Sequence, residues 1–220
     1  MKKRLLIIGG HGSGEIAMSV FEDVNSLTEE WVIEGFLSDV VPPGEYLGKH
    51  KVIGGTNEIK HFVEEGYYIH YTLQFNAKKK LERVNMFKEL QIPLEANASA
   101  IHPRASIDTS TKMGFGILAL PFAVSSTDSE IGNFIHIYTS AYIGQNAKIK
   151  DYCTISAHSN IRARVKLDEG VSVGLNSTLL EDVEIGKYSI IEIGSTVNES
   201  FKEFSEIAGN PAKLIKEIKH

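Results

Sequence analysis

The segment YTSAYIGQN, Tyr138 to Asn146, places two amides side by side in the middle of a very regular stretch. An amide has no useful pKa, so neither Gln145 nor Asn146 can serve as a general base. An amide can still orient a polar ligand through its N–H donors and its carbonyl acceptor. His136 and His158 are the nearest imidazoles, nine and thirteen residues from Gln145. His158 has two open readings, a proton-transfer group or a solvent-facing side chain. Gly9, Gly10, Gly12 and Gly14 surround His11 and Ser13 just before a helix-like stretch. Glycines permit a tight turn there, and free N–H groups at a helix start can bind phosphate. The run is not G-x-G-x-x-G in its usual register, and a merely structural turn is the alternative.

The elements that position these groups fall into two halves. RLLIIGG is a short apolar strand, followed by a helix-like GEIAMSVFEDVNS with Ile16, Val20 and Val24 at helical spacing. WVIEGFLSD and YYIHYTL read as further strands. TNEIKHFVEEG reads as a helix capped by Thr56 and stopped at Gly66, and NAKKKLERVNMFKELQ as another. Such alternation predicts a small parallel sheet with helices on its faces.

After Ala100 the period becomes six. Counting in sixes from Ile101 to Val197, fourteen of the seventeen first positions are Ile, Leu or Val. The fifth positions are mostly small or branched, as at Ala123, Ala141, Ala147, Cys153 and Ser159. Glycine recurs in second place, at Gly132, Gly144, Gly174 and Gly186. Six residues per flat side, three sides per turn, gives a parallel β-helix with one aliphatic residue per side filling the interior. Gln145 then stacks between Thr127 and Ala163. Cys153, at a fifth position, is expected to be a buried structural thiol.

The 220-residue chain has 42% hydrophobic and 23% charged residues, the composition of a globular protein. A net charge of −5 gives no footprint for nucleic acid. The basic run Lys78–Lys80 reads as a solvated helix face. The single cysteine excludes an intrachain disulfide and suits the cytoplasm. The apolar run before Gly9 is too short for a signal peptide, and no membrane insertion is expected.

With these motifs the chain resembles the sialic acid O-acetyltransferase / UDP-amino-sugar N-acetyltransferase family of the NeuD/PglD type, within the hexapeptide-repeat acyltransferases. IIGGHGSGE, FLSD, AIHPRASI, the repeats and the terminal AGNPAKLI carry the resemblance. It implies an α/β Rossmann-like domain over residues 1–98, binding a sugar nucleotide. A left-handed parallel β-helix over 99–220 would follow, with a C-terminal tail. The resemblance further implies a homotrimer, acetyl-CoA between neighbouring β-helices, no metal, and a nucleotide-linked amino sugar in surface-glycan synthesis.

Gly10, His11 and Gly12 fall on the family's sugar-nucleotide loop, and Asp39 where it holds the nucleoside. YTLQFN departs from its Gly-Asn-Asn segment. Gly174 and Leu175 of VGLNST match acetyl-CoA contacts, while Ala163 and Ile193 stand where the family has glycines. Arg162, Arg164 and Lys166 could draw the phosphates of coenzyme A, or form a plain basic edge. The family's catalytic histidine and its acid correspond to Gln145 and Asn146. Three outcomes therefore stand open. The chain acetylates an amine without a protein base, another histidine has taken over, or the chain is a ligand-binding or regulatory paralogue.

Overall fold

The computed structural model describes residues 2–219, apart from the side chain of Phe75. Contacts divide the chain into two compact units, Met1–Pro103 and Arg104–His220.

The first unit is built on a sheet of five strands. β1 (Lys3–Ile8), β2 (Trp31–Leu37), β4 (His50–Gly54) and β5 (Tyr68–Tyr71) run parallel in the order β4-β2-β1-β5. A two-residue strand, β3 (Tyr46–Leu47), pairs antiparallel to β4 at the edge. Leu5 to Ile8 are fully buried, as a central parallel strand covered on both faces requires. α1 (Ser13–Thr28) buries Ala17, Met18, Val20 and Phe21, whereas Ile16 is 38% exposed, so its apolar face is rotated from the expected stripe. The β3–β4 hairpin carries no clean alternation and was not legible from periodicity.

The helix expected from Thr56 begins instead as a 3-10 turn over Thr56–Glu58, and α2 spans Ile59–Glu64. Gly55 occupies the cap, its N–H donating to Glu58 Oε2 at 2.9 Å, which frees the Thr56 hydroxyl for another partner. α3 spans Lys80–Glu89. Its start corrects the expectation of a solvated Lys78–Lys80 face, because Lys80 is only 1% exposed. His102 is buried, with Nε2 3.2 Å from Asp23 Oδ2, and so ties the last strand-like segment of this unit to α1.

In the second unit, two-residue strands repeat every six residues and pair in parallel with strands eighteen residues away. The strands form three sheets, the flat faces of a triangular β-helix. Face 1 contains Tyr142–Ile143 and Asn160–Ile161, face 2 Lys148–Ile149 and Lys166–Leu167, face 3 Thr154–Ile155 and Ser172–Val173. The first positions from Ile131 to Val197 are all at most 3% exposed. Met113, near the first coil, is 41% exposed because no coil lies on its other side. A final antiparallel pair, Ser205–Gly209 with Ala212–Glu217, closes face 3.

The fifth positions knit the coils together. Ser129, Ser159 and Ser177 each donate their hydroxyl to a carbonyl fifteen residues ahead, at 2.9–3.1 Å. Cys153 makes the same contact, Sγ to the Asp168 carbonyl at 3.1 Å, as a buried thiol within the ladder. From Gly116 to Gly194 the fourth positions all take left-handed backbone, including Asp128, Asn146, His158, Arg164 and Asp182 at φ +56° to +63°. Non-glycine residues resist this region, so its recurrence shows that coil stacking outweighs the local preference.

Candidate functional site

In the first unit the candidate site lies at the carboxyl ends of β1, β2 and β5. β2 and β5 lie on opposite sides of β1, so the chain leaves β1 at a switch point, where parallel sheets open a crevice. Gly9, at φ +152°, has no room for a side chain, since a Cβ there would collide with the Thr72 hydroxyl. That hydroxyl is held by the Ile8 carbonyl at 2.8 Å. Asp39 Oδ1 accepts from the Thr56 N–H at 2.8 Å and Oδ2 from the Thr56 hydroxyl at 2.5 Å, so it braces the end of β2 against the start of α2.

A cavity of about 240 Å³ opens here, with Gly10, Asp39, Tyr71, Lys79, Arg83 and Met86 in its walls. It shares Thr56, Tyr71, Leu73 and Met86 with a second, more apolar cavity of about 500 Å³, which reaches Ile59, Phe87 and Leu90. Tyr71 stacks on Phe87 with ring centroids 4.1 Å apart, and its hydroxyl donates to the Arg83 carbonyl at 2.8 Å. Burial pushes that hydroxyl's pKa well up, so it stays a neutral donor.

Two of the four expected sugar-nucleotide residues, Gly10 and Asp39, share this cavity. His11 and Gly12 do not line it. His11 is exposed, with Nδ1 3.5 Å from Glu15 Oε2, and the Gly12 N–H donates to the same carboxylate at 3.1 Å. Glu15 thus already occupies a donor that a phosphate would use. Lys79 and Arg83 are the cations of the cavity, and sequence reasoning missed both. Arg83 is further fixed by a 3.2 Å bond from Nη1 to the Leu73 carbonyl. Their signal, a lysine and an arginine four residues apart around the start of α3, is common to solvated helix faces.

In the second unit the candidate residues occupy two different corners. Gln145 and Asn146 turn the chain from face 1 to face 2, and Ala163 sits on the same corner one coil further. The Arg164 N–H donates to the Gln145 carbonyl at 2.9 Å, and the Asn146 N–H to the Thr127 carbonyl at 3.1 Å, so Gln145 lies between Thr127 and Ala163. Both amide side chains are exposed. His158, Leu175 and Ile193 stand on the corner between faces 3 and 1, at the other edge of face 1. Within one chain His158 is therefore not beside Gln145, and His136 is fully buried.

Leu175 is 42% exposed and Ile193 66%, and on adjacent coils of this corner they form a short apolar strip. Such a strip suits the uncharged arm of a coenzyme A-type molecule. Gly174 has a different structural cause, because a Cβ there would lie 2.7 Å from the Ile191 carbonyl oxygen. The basic edge is neutralised. Arg162 pairs with Glu181 at 2.6 Å, Arg164 grips Asp182 through two bonds of 2.6 and 2.8 Å, and Lys166 meets Glu184 at 2.6 Å. These cations pair with exposed carboxylates of the next coil, so the edge carries both charge signs. Among the described residues no group of three side chains could hold a metal ion, and no helix is long and apolar enough to cross a membrane.

Proteins similar to this chain include sugar acetyltransferases, a serine acetyltransferase and tetrahydropyridine-dicarboxylate N-acetyltransferases, and the second unit has the left-handed β-helix fold of its structural neighbours. No family model matches the chain. GDP-perosamine N-acetyltransferase of Escherichia coli O157:H7 is 28% identical over 82 residues, which span 37% of each chain. The chain thus spans little over a third of that curated relative's length.

Among solved structures, a histidine-to-asparagine mutant of perosamine N-acetyltransferase from Caulobacter crescentus, in complex with CoA and GDP-perosamine, superposes with a TM-score of 0.82. Identity is 20%, and the match covers 97% of both chains. The acetyltransferase domain of PglB from Neisseria gonorrhoeae FA1090, in complex with acetyl coenzyme A, gives 0.84 at 19% identity, covering 98% of this chain and 100% of that one.

Proposed function

We propose that the protein is an acetyl-CoA-dependent N-acetyltransferase acting on a nucleotide-linked amino sugar in surface-glycan synthesis. The observation that carries this is the match over 97% of the chain to a neighbour that holds both CoA and GDP-perosamine. That neighbour binds both ligands with an amide in place of a histidine, so an amide side chain is compatible with such a complex.

The first unit, residues 1–103 where 1–98 was expected, is a Rossmann-like nucleotide-sugar domain. Its switch-point cavity is lined by Gly10, by the cations Lys79 and Arg83 and by the acids Asp39 and Glu82, so the two cations are the groups there that would meet a diphosphate. The second unit, residues 104–220, carries acyl transfer in a cytoplasmic homotrimer. Ala163, Gly174, Leu175 and Ile193 contact acetyl-CoA, with the strip of Leu175 and Ile193 against its uncharged arm. Gln145 orients the acceptor amine or donates to the thioester carbonyl. A neutral amine attacks a thioester readily, so holding the two reactants together supplies much of the acceleration. An alcohol acceptor would need a base that Gln145 and Asn146 cannot provide.

One observation favours a second reading, a non-catalytic ligand-binding paralogue. Gln145 and Asn146 are exposed, and among the described residues no histidine of the same chain stacks on them. The test is release of free thiol from acetyl-CoA in the presence of UDP-, dTDP- and GDP-linked amino sugars. Acceptor-dependent release supports the enzyme, whereas ligand binding without release supports the paralogue.

A further inference from the structure

The corner that carries Gln145 and Asn146 is a stack of equivalent positions. The strands on either side of it are in register, with Val124 opposite Tyr142 and Glu130 opposite Lys148. Asp128 and Asn146 share the same backbone, at φ +56° and +57°. Their side chains therefore leave the corner in the same direction from coils about 4.8 Å apart, the usual strand spacing. Asp128 is also the neighbour below Gln145, offset by one residue, so its carboxylate and the Gln145 amide face one patch of the corner.

The other acids on this corner are engaged. Asp108 accepts from the Ser110 N–H at 2.9 Å and the Ser110 hydroxyl at 2.6 Å. Asp182 is clasped by Arg164, and Glu181 pairs with Arg162. Asp128 differs. Its backbone N–H donates to Ser110 Oγ at 2.8 Å, while its exposed carboxylate makes no bond to any described residue. An anion is thus held at a fixed corner, unneutralised, one coil from the two amides.

Resting on the acyltransferase function proposed above, we propose that Asp128 is the catalytic carboxylate that receives the amine proton. The amine nitrogen forms its bond to the thioester carbonyl carbon, giving an adduct with a positively charged nitrogen. One proton passes from that nitrogen to an oxygen of Asp128. The carbon–sulfur bond breaks, sulfur leaves with the electron pair as thiolate, and the proton on Asp128 passes to it directly or through water. The products are the amide and free coenzyme A, with Asp128 again ionised. Carboxylates are weak bases, but an N-protonated tetrahedral adduct is a stronger acid than a free ammonium ion, which narrows the gap that the proton transfer must cross. The Gln145 amide orients the nitrogen, a task that requires no proton.

The experiment compares Asp128→Asn, Asp128→Glu and wild type by thiol release, using acetyl-CoA with the UDP-, dTDP- and GDP-amino sugars. Asparagine is among the residues that best tolerate left-handed backbone, so the corner keeps its shape. The expected result is a fall in kcat of about 100-fold for Asp128→Asn, with the KM of both substrates within about twofold of wild type. Asp128→Glu retains part of the rate, and adding Gln145→His to Asp128→Asn restores activity by supplying a different base. An Asp128→Asn rate within about threefold of wild type, or a loss seen only in KM, overturns the assignment. If wild type itself releases no thiol with any acceptor, the acyltransferase function falls, and this assignment with it.

Discussion

Gly144→Ala is a small change with a large expected effect, because Gly144 precedes Gln145 and lies under the next coil. A Cβ at residue 144 would sit 2.7 Å from the Arg162 carbonyl carbon, 2.8 Å from the Ala163 nitrogen and 2.9 Å from the Ile161 oxygen. All three are backbone atoms, so no side chain can swing aside. Ordinary contact begins at 3.4 Å, and 3.4 − 2.7 leaves a deficit of 0.7 Å that the two coils must open. The Gly144 N–H to Ile161 carbonyl bond, 2.7 Å long, lies on that same seam and must stretch.

Overpacking of this kind costs about 1–3 kcal/mol. For a chain of this size each kcal/mol lowers the melting temperature by about 2–4 °C, so a fall of about 6 °C is expected for a cost of 2 kcal/mol. Thermal unfolding followed by circular dichroism measures it, and thiol release reads the displacement of Gln145 in the same sample. A variant that melts within about 1 °C of wild type and keeps its rate would refute the claim that coil stacking requires glycine here.

Gln145→His should raise the turnover modestly and give it a pH dependence near neutrality, measured as kcat against pH; an unchanged, flat profile removes Gln145 from the reacting centre. Lys79→Ala should weaken nucleotide-sugar binding by about 10-fold or more, as loss of a charge-assisted bond to phosphate implies, and titration calorimetry at fixed salt would show no change if the cavity is not the phosphate site. His70 is fully buried with Nδ1 2.8 Å from the Ala98 carbonyl, and burial depresses its pKa from 6.5 to about 4. The unfolded chain therefore binds the extra proton first, so stability is full above pH 6.5 and is lost as pH falls towards 4, by about 3 kcal/mol. Urea unfolding at pH 7 and pH 4.5 tests this, with His70→Gln expected to flatten the difference; equal pH sensitivity in the variant would count against it.

The six-residue period made the second unit legible because each interior position in it is filled by one side chain, and Ile143, Ile149 and Ile155 show this directly. The glycines in second place were visible as a pattern, but their cause needed coordinates, since only the stacked backbone at Arg162 and Ala163 explains Gly144. The left-handed corners could not be seen at all. Asn146, His158 and Arg164 adopt the same φ despite different chemistry, so no residue type signals the conformation. In the first unit, strand–helix alternation marked β1, β2, β5 and the helices. It missed the β3–β4 hairpin and the place of Lys79 and Arg83 in the cavity wall, because a cavity wall is assembled from distant segments. Gly10 and Asp39, singled out through the family resemblance, line one cavity, while His11, two residues from Gly9, faces Glu15.

The division of labour in the β-helix explains how the expected His-acid pair can be absent without any slip in the repeat. Interior positions bear the stability, since Ile143 and Ala147 are fully buried and a change there would open a cavity. Corner side chains such as Gln145, Asn146 and Asp128 project outward and pack against little, so their chemistry can change at small structural cost. A fold built this way keeps its binding surfaces while its proton-transfer group moves or disappears. What such a change does constrain is the acceptor. A corner that offers two amides and one ionised carboxylate suits a nucleophile that attacks first and loses its proton afterwards. Amines do so, whereas a hydroxyl must lose its proton as it attacks and needs a stronger base than the corner supplies.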